Sequence, residues 1–287
     1  MIKNLGITSI FAFALSVSLF SSCKDTPGET PPAPPAPGTP DKSGANAGQT
    51  PQLSYQVLNV YPHDTTSYTE GLLMQDGELY ESTGHTEGID YTRSLFGIVD
   101  RKTGHIVVKV ELDKNKYFGE GIVFLKGRVY QLTYKTRIGF VYDAKTFKKL
   151  QEFTYPSEEG WGMTTDGTYL IMSDSTPDLH FLDPVSFRVV KSIKVMENNT
   201  PIDQVNELEY INGYIYANRY TTNYILKIDP ANGKVVGRLD LSSLEAQARN
   251  KYPGSMEMNG IAYDSAADKV YITGKLWPDI YAIRFPH

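Results

Sequence analysis

The sequence predicts an all-β propeller of five four-stranded blades. Three observations predict it: two interleaved internal repeats, and a folded region of short β-type runs without heptads. The first repeat is a strand ending in Asp, a short turn, and a second strand. It runs Phe96-Gly97-Ile98-Val99-Asp100, turns at Thr103-Gly104 and resumes at His105-Ile106-Val107-Val108. It returns at Asp143, Asp183 and Asp229, so successive copies lie 43, 40 and 46 residues apart. That is the length of a propeller blade.

The second repeat precedes each copy of the first and sets the blade count. It is a strand marked by an acid or Gly, a turn, and a strand with Tyr near its start. The copies are Glu70-Gly71-Leu72 with Leu79-Tyr80-Glu81, and Glu120-Gly121-Ile122 with Val129-Tyr130-Gln131. Then come Trp161-Gly162-Met163 with Tyr169-Leu170-Ile171, and Glu207-Leu208-Glu209 with Ile215-Tyr216-Ala217. The fifth is Asn259-Gly260-Ile261 with Val270-Tyr271-Ile272. The strand near Tyr55 to Val60 has no blade of its own. Pairing it with Ile280 to Arg284 closes the ring and removes an exposed edge. Leu241 to Asn250 has helical spacing and a capping Ser, which predicts one short helix inserted between strands of the final blade.

The first 52 residues stand apart. Met1 to Ser22 carry one early charge, Lys3, and an apolar run from Leu5 to Phe20, the layout of a signal peptide over 1–22. The run ends in Leu19-Phe20-Ser21-Ser22-Cys23, which resembles a bacterial lipobox with Cys23 as the lipidated residue. An ordinary signal peptide with an incidental cysteine is the alternative. The rest of 23–52, Pro-rich and almost without large apolar residues, reads as a solvated tether. Residues 53–287 form the propeller domain. The expected location is the cell envelope, periplasmic or surface-facing, with the membrane reached through the lipid.

Composition narrows the chemistry. The single cysteine excludes disulfides and Cys-based metal or nucleophile sites from the folded part. The five histidines, His63, His85, His105, His180 and His287, lack metal-ligand spacing and read as surface or turn residues. A net charge of -5 gives no reason to expect nucleic acid, and 20 tyrosines suit strands and aromatic clefts.

In a propeller, polar residues that recur at inner-strand starts converge at one end of the central channel. Here they are Glu70, Glu120, Trp161, Glu207 or Glu209, and Asn259, with Glu81, Gln131, Asp174, Asn218 and Lys275 from the second strands. Crowded carboxylates in such a place have shifted pKa values.

Several motifs carry a resemblance. Tyr68-Thr69-Glu70-Gly71-Leu72 and Tyr80-Glu81-Ser82-Thr83-Gly84 open it, followed in order by Phe118-Gly119-Glu120-Gly121-Ile122 and Glu159-Gly160-Trp161-Gly162-Met163-Thr164. Asn206-Glu207-Leu208-Glu209-Tyr210, Asn259-Gly260-Ile261 and Thr273-Gly274-Lys275-Leu276-Trp277-Pro278 complete it. Together, over Tyr55 to Ile283, these resemble the glutamine cyclotransferases of plants and bacteria.

The resemblance implies a monomeric five-bladed enzyme without cofactor or catalytic metal. Such an enzyme closes the N-terminal glutamine of peptides or proteins into pyroglutamate and releases ammonia. By motif position it implies Glu81 as general acid/base. From residue type, Trp161 would be a wall for the glutamine side chain, and Asn218 and Asn259 would orient the amide. Lys275 would stabilise negative charge or tune a nearby Glu, with Glu207 and Glu209 holding the ammonium. Glu70 stands where the family usually has Gln, and Tyr134 where it often has Trp. Two other functions suit a propeller: a non-catalytic peptide or glycan binder, and a metal-dependent hydrolase using Glu70, Glu120, Glu207 and Asn259.

Overall fold

The computed structural model describes residues 49–287. The leader, Cys23 and all but the end of the tether lie outside the described residues.

Five antiparallel sheets follow one another in sequence, each built outward from its innermost strand. The first blade is Thr69–Gln75, Glu78–Thr83, Leu95–Val99 and Ile106–Glu111. The second is Gly119–Leu125, Arg128–Thr133, Ile138–Asp143 and Lys149–Thr154. The third is Met163–Thr165, Leu170–Met172, Asp178–Leu182 and Val189–Lys194. The fourth is Val205–Ile211, Tyr214–Arg219, Tyr224–Ile228 and Val235–Asp240. The fifth takes Met258–Asp264, Lys269–Gly274 and Asp279–Arg284 from the end of the chain.

The fifth blade's outer strand is Gln56–Pro62, which runs antiparallel to Asp279–Arg284 with Gln56 opposite Arg284 and Pro62 opposite Asp279. The expected ring closure is therefore present. The two-residue strand Gln52–Leu53 adds a parallel edge to the fourth blade.

Apolar side chains fill every interface between neighbouring blades. Tyr80 and Phe96 meet Ile122, Phe140 and Tyr142 between the first and second blades. Leu72, Leu79 and Val99 meet Ala262, Tyr271 and Ile280 where the fifth returns to the first. Each blade thus lacks a core of its own and buries its faces only in the ring.

The predicted helix spans Ser242–Lys251. It sits between the fourth and fifth blades rather than between strands of the last one. The expected Ser cap is absent. Leu241 occupies the cap position, while Asp240 accepts from the Ser242 backbone N–H at 3.0 Å. Leu244 and Ala248 bury its inner face.

Four of the five innermost strands share one irregularity. Pairing with the second strand shifts register between Thr69 and Gly71, Gly119 and Ile122, Val205 and Leu208, and Met258 and Ile261. These β-bulges re-aim Glu70, Glu120, Asn206 and Asn259. The residue after the bulged polar group is often Gly because the next inner strand crosses close by. A Cβ on Gly121 would lie 2.5 Å from the Met163 nitrogen, and one on Gly162 would lie 2.2 Å from the Asn206 carbonyl.

Candidate active site

A cavity of about 420 Å³ opens at one end of the channel. Its buried lining is polar: Glu70, Glu120, Asn206 and Lys275, with Tyr68 beside them. Half-buried Phe118, Tyr134, Trp161 and Tyr220 form the walls, and His85, Thr86 and Glu87 form one lip. A largely preformed cleft with aromatic walls and few convergent polar groups is the usual form of a small-ligand site.

Repeat position explains this lining. Tyr68 and Phe118 stand two residues before the bulged acids of the first and second blades. Tyr134, Tyr220 and Lys275 occupy equivalent places just past the ends of the second strands, four residues after Tyr130, Tyr216 and Tyr271.

The electrostatic centre is a buried ion pair. Lys275 Nζ lies 2.6 Å from Glu70 Oε1, and Asn259 Nδ2 donates to Glu70 Oε2 at 3.1 Å and to the Thr69 carbonyl at 3.0 Å. Burial pushes the Glu70 pKa up to about 7, against the lowering effect of Lys275. Burial works against the Lys275 ammonium, but Glu70, Tyr68 and Glu120 together outweigh it and hold the lysine above its ordinary range. Lys275 also lies 4.4 Å over the Tyr68 ring.

Glu120 differs from Glu70 in kind. It is buried in the lining, and no protein group among those described donates to its carboxylate. Burial first, then the nearby Glu70 charge, raise its pKa well above the ordinary carboxylate value, with Lys275 opposing them. Asn206 Oδ1 is a second buried group without a partner. Trp161 Nε1 donates to Glu159 Oε2 at 3.1 Å, and its ring meets Tyr220 edge-on at 5.6 Å.

Of the sequence-predicted site residues, the structure brings Glu70, Trp161 and Lys275 to the cavity. Glu81, Glu207, Glu209, Asn218 and Asn259 do not line it. Glu81 is fully buried between the first and fifth blades. His63 Nε2 sits 3.0 and 3.1 Å from its two oxygens, and Thr69 Oγ1 donates at 2.7 Å. Its repeat equivalents Gln131, Ala217 and Ile272 are likewise buried mid-strand positions.

Glu207 sits one residue beyond the bulged Asn206 and accepts backbone N–H groups from Leu72 at 3.2 Å and Ile261 at 2.9 Å. Glu209 accepts from Tyr263 N at 2.8 Å, and Asn218 Oδ1 from Gly260 N at 3.0 Å. Asn259 supports Glu70 without facing the cleft. These groups tie inner strands together across the channel.

Not every histidine takes the expected surface or turn position. His63 is buried on Glu81, and although burial disfavours its charge, the Glu81 carboxylate holds its pKa above the usual value. His85 lines the cavity, and His180 lies 3.1 Å from Asp174. Asp174 is also bonded by Ser157 and Thr176, and together these partners overcome its burial and lower its pKa. Among the described residues no three His, Cys, Asp or Glu converge as a metal-binding group.

The sequence places Glu120 among the converging residues but offers it only a metal-ligand role, and it does not single out Asn206. The signal for both was the repeat itself: they occupy the bulge position that Glu70 occupies in the first blade.

The arrangement can move one proton at a buried, unpaired carboxyl beside fixed N–H donors. A family model described as glutamine cyclotransferase matches residues 36–285. A glutaminyl-peptide cyclotransferase of Arabidopsis thaliana is 35% identical over 248 residues, 84% of this chain and 76% of that protein. The crystal structure of Myxococcus xanthus glutaminyl cyclase matches with a TM-score of 0.74 at 30% identity, covering 83% of this chain and 98% of that one. The chain belongs to the glutamine cyclotransferase family.

Proposed function

We propose that the protein is a glutaminyl-peptide cyclotransferase in which Glu120 is the general acid/base. The observation that carries the assignment is the contrast between two cavity carboxyls. Both oxygens of Glu70 are committed, to Lys275 and Asn259, whereas Glu120 faces the same cavity without a protein partner.

The α-amine, with a pKa of about 8, attacks the side-chain amide carbon as the free base. As the new C–N bond forms, the Glu120 carboxylate takes the proton that this nitrogen sheds. Glu120 then returns the proton to the amide nitrogen, whose bond to carbon breaks as ammonia leaves. An ammonium has three N–H groups. Glu70 takes one of those on Lys275, leaving the others to stabilise the oxyanion. Asn206 Oδ1 accepts an N–H of the bound glutamine, and Trp161 with Tyr134 holds the chain bent for ring closure.

The test is incubation with Gln-initiated peptides, following ammonia release and pyroglutamate formation. Glu120→Gln should remain folded and lose roughly a hundredfold to ten-thousandfold in kcat. Glu81→Gln should keep kcat within a few-fold and instead lower the melting temperature. The opposite pattern would return the acid/base role to Glu81.

We further propose that the chain is exported as a lipoprotein modified at Cys23 and acts on peptides in the cell envelope. The support is the lipobox-like run before the sole cysteine. Cys23→Ser should move the protein from the membrane fraction to the soluble one.

A further inference from the structure

Ring closure needs both the α-amine and the side-chain amide at the polar floor formed by Glu70, Glu120 and Lys275. The glutamine's own carbonyl, and everything after it, must therefore leave through the open mouth. The second residue of the substrate consequently meets the lip. On one side that lip is His85-Thr86-Glu87, at the start of the segment between the strands Glu78–Thr83 and Leu95–Val99.

This segment is fastened at its base. His85 N donates to Ser94 Oγ at 3.0 Å, Thr86 N donates to Thr92 Oγ1 at 2.9 Å, and Thr92 Oγ1 donates to the Ile89 carbonyl at 2.7 Å. His85 Nδ1 lies 2.8 Å from the Thr92 carbonyl. A carbonyl only accepts, so Nδ1 carries the proton, and the Nε2 of the neutral ring is an acceptor.

Glu87 is exposed and has no ion-pair partner among the described residues. Arg93, in the same segment, holds Glu111 at 2.6 Å, and Lys135, next to the cavity's Tyr134, lies 3.4 Å from Glu159 and over the Tyr134 ring. His85, held at Nδ1, and exposed Glu87 thus present acceptors that no cation among the described residues pairs with.

We propose that the His85–Glu87 lip is the subsite for the second residue of the substrate and that it selects a basic side chain there. The inference rests on the cyclotransferase reading and names the peptide class within it. Glu87 pairs with a Lys or Arg that follows the N-terminal Gln, and the His85 imidazole accepts a backbone N–H or the same cationic head.

The experiment compares kcat/KM for Gln-Lys, Gln-Ala and Gln-Glu peptides of otherwise identical sequence, in the parent protein and in Glu87→Lys. The parent should favour Gln-Lys over Gln-Glu by about fivefold at low salt, the size expected of one exposed charge pair, and less at high salt. Glu87→Lys should invert that order while keeping the melting temperature near the parent's. His85→Leu should reduce the preference without inverting it. Equal rates on all three peptides, or a preference unchanged in Glu87→Lys, would overturn the subsite. Absence of product from every peptide would instead overturn the cyclotransferase reading.

Discussion

At the scale of single residues, the site depends on two carboxyls with different neighbours. Glu120 is protonated over a wider pH range than an ordinary glutamate, because burial and Glu70 both disfavour its charge. In its proposed role as base it must be ionised, so the acid limb of the kcat profile should lie well above the ordinary carboxylate range. Glu70→Gln removes a like charge and leaves Lys275 unneutralised, so the limb should move to lower pH. Lys275→Met should move it to higher pH. Limbs that stay fixed in both variants would show that another group titrates.

The same pair tests burial energetics. Lys275→Met strands the Glu70 carboxylate and should cost about 3–5 kcal/mol in chemical denaturation. Adding Glu70→Gln should restore most of that loss without restoring turnover.

At the scale of elements, the hairpins joining third and fourth strands show one device used two ways. Asp100, Asp143, Asp183 and Asp229 each accept backbone N–H groups from the turn that follows. In the first and fourth blades the left-handed position is Gly104 (φ 83°) or Gly233 (φ 76°). In the second and third it is Phe147 (φ 55°) or Phe187 (φ 58°). A left-handed phenylalanine is strained by about 1–2 kcal/mol. Packing against the preceding blade offsets it: Phe147 contacts Tyr80 and Phe96, and Phe187 stacks on Phe153 at 4.3 Å. Phe147→Gly loses the ring but also the strain, whereas Phe147→Ala loses the ring and keeps the strain. Alanine should therefore be the less stable variant by about 1 kcal/mol in urea melts.

The bulges are the other element-scale lesson. The residues from Asn206 to Glu209 read equally well in two registers, and choosing Glu207 as the counterpart of Glu70 shifts the repeat by one residue. In a strand, that shift reverses the face. This is why Glu207 binds strand backbones while Asn206 reaches the cleft.

At the scale of the whole molecule, closure and pH are linked. His63 follows the outer strand of the fifth blade and clasps Glu81 of the first, while its Nδ1 lies 2.7 Å from the Trp277 carbonyl. Its folded pKa is raised, so the stability it contributes is fully present below about 6.5 and is lost as pH rises through the folded value. The buried acids act in the same direction. Glu70 at about 7, Glu209 at about 8 and Glu207, which burial also raises well above the ordinary carboxylate value, bind protons in the folded state that the unfolded chain has released. The turn aspartates have lowered values, so their contribution is present above about 3.9 and is lost only as pH falls below it. The melting temperature should therefore be higher at pH 5 than at pH 8, opposite to the trend in turnover. His63→Phe should flatten the stability slope between pH 6 and 8 without moving the kinetic limb.

The sequence by itself determined the blade count, the ring closure and the helix, because repeats and alternation are local patterns that survive in one dimension. It also carried the motifs that point to the family. It did not separate the cavity-lining carboxyl, Glu120, from the one enclosed between blades, Glu81. Both are glutamates in inner or second strands, in motifs of equal prominence. Their difference lies in what surrounds each one: His63 arrives at Glu81 from the closing strand, and among the described residues no side chain donates to the Glu120 carboxylate. Only the tertiary structure decides this, because a carboxyl's role depends on its partners, and here those partners come from distant blades. The five-bladed propeller was legible as a pattern, and its chemistry became legible once the ring closed.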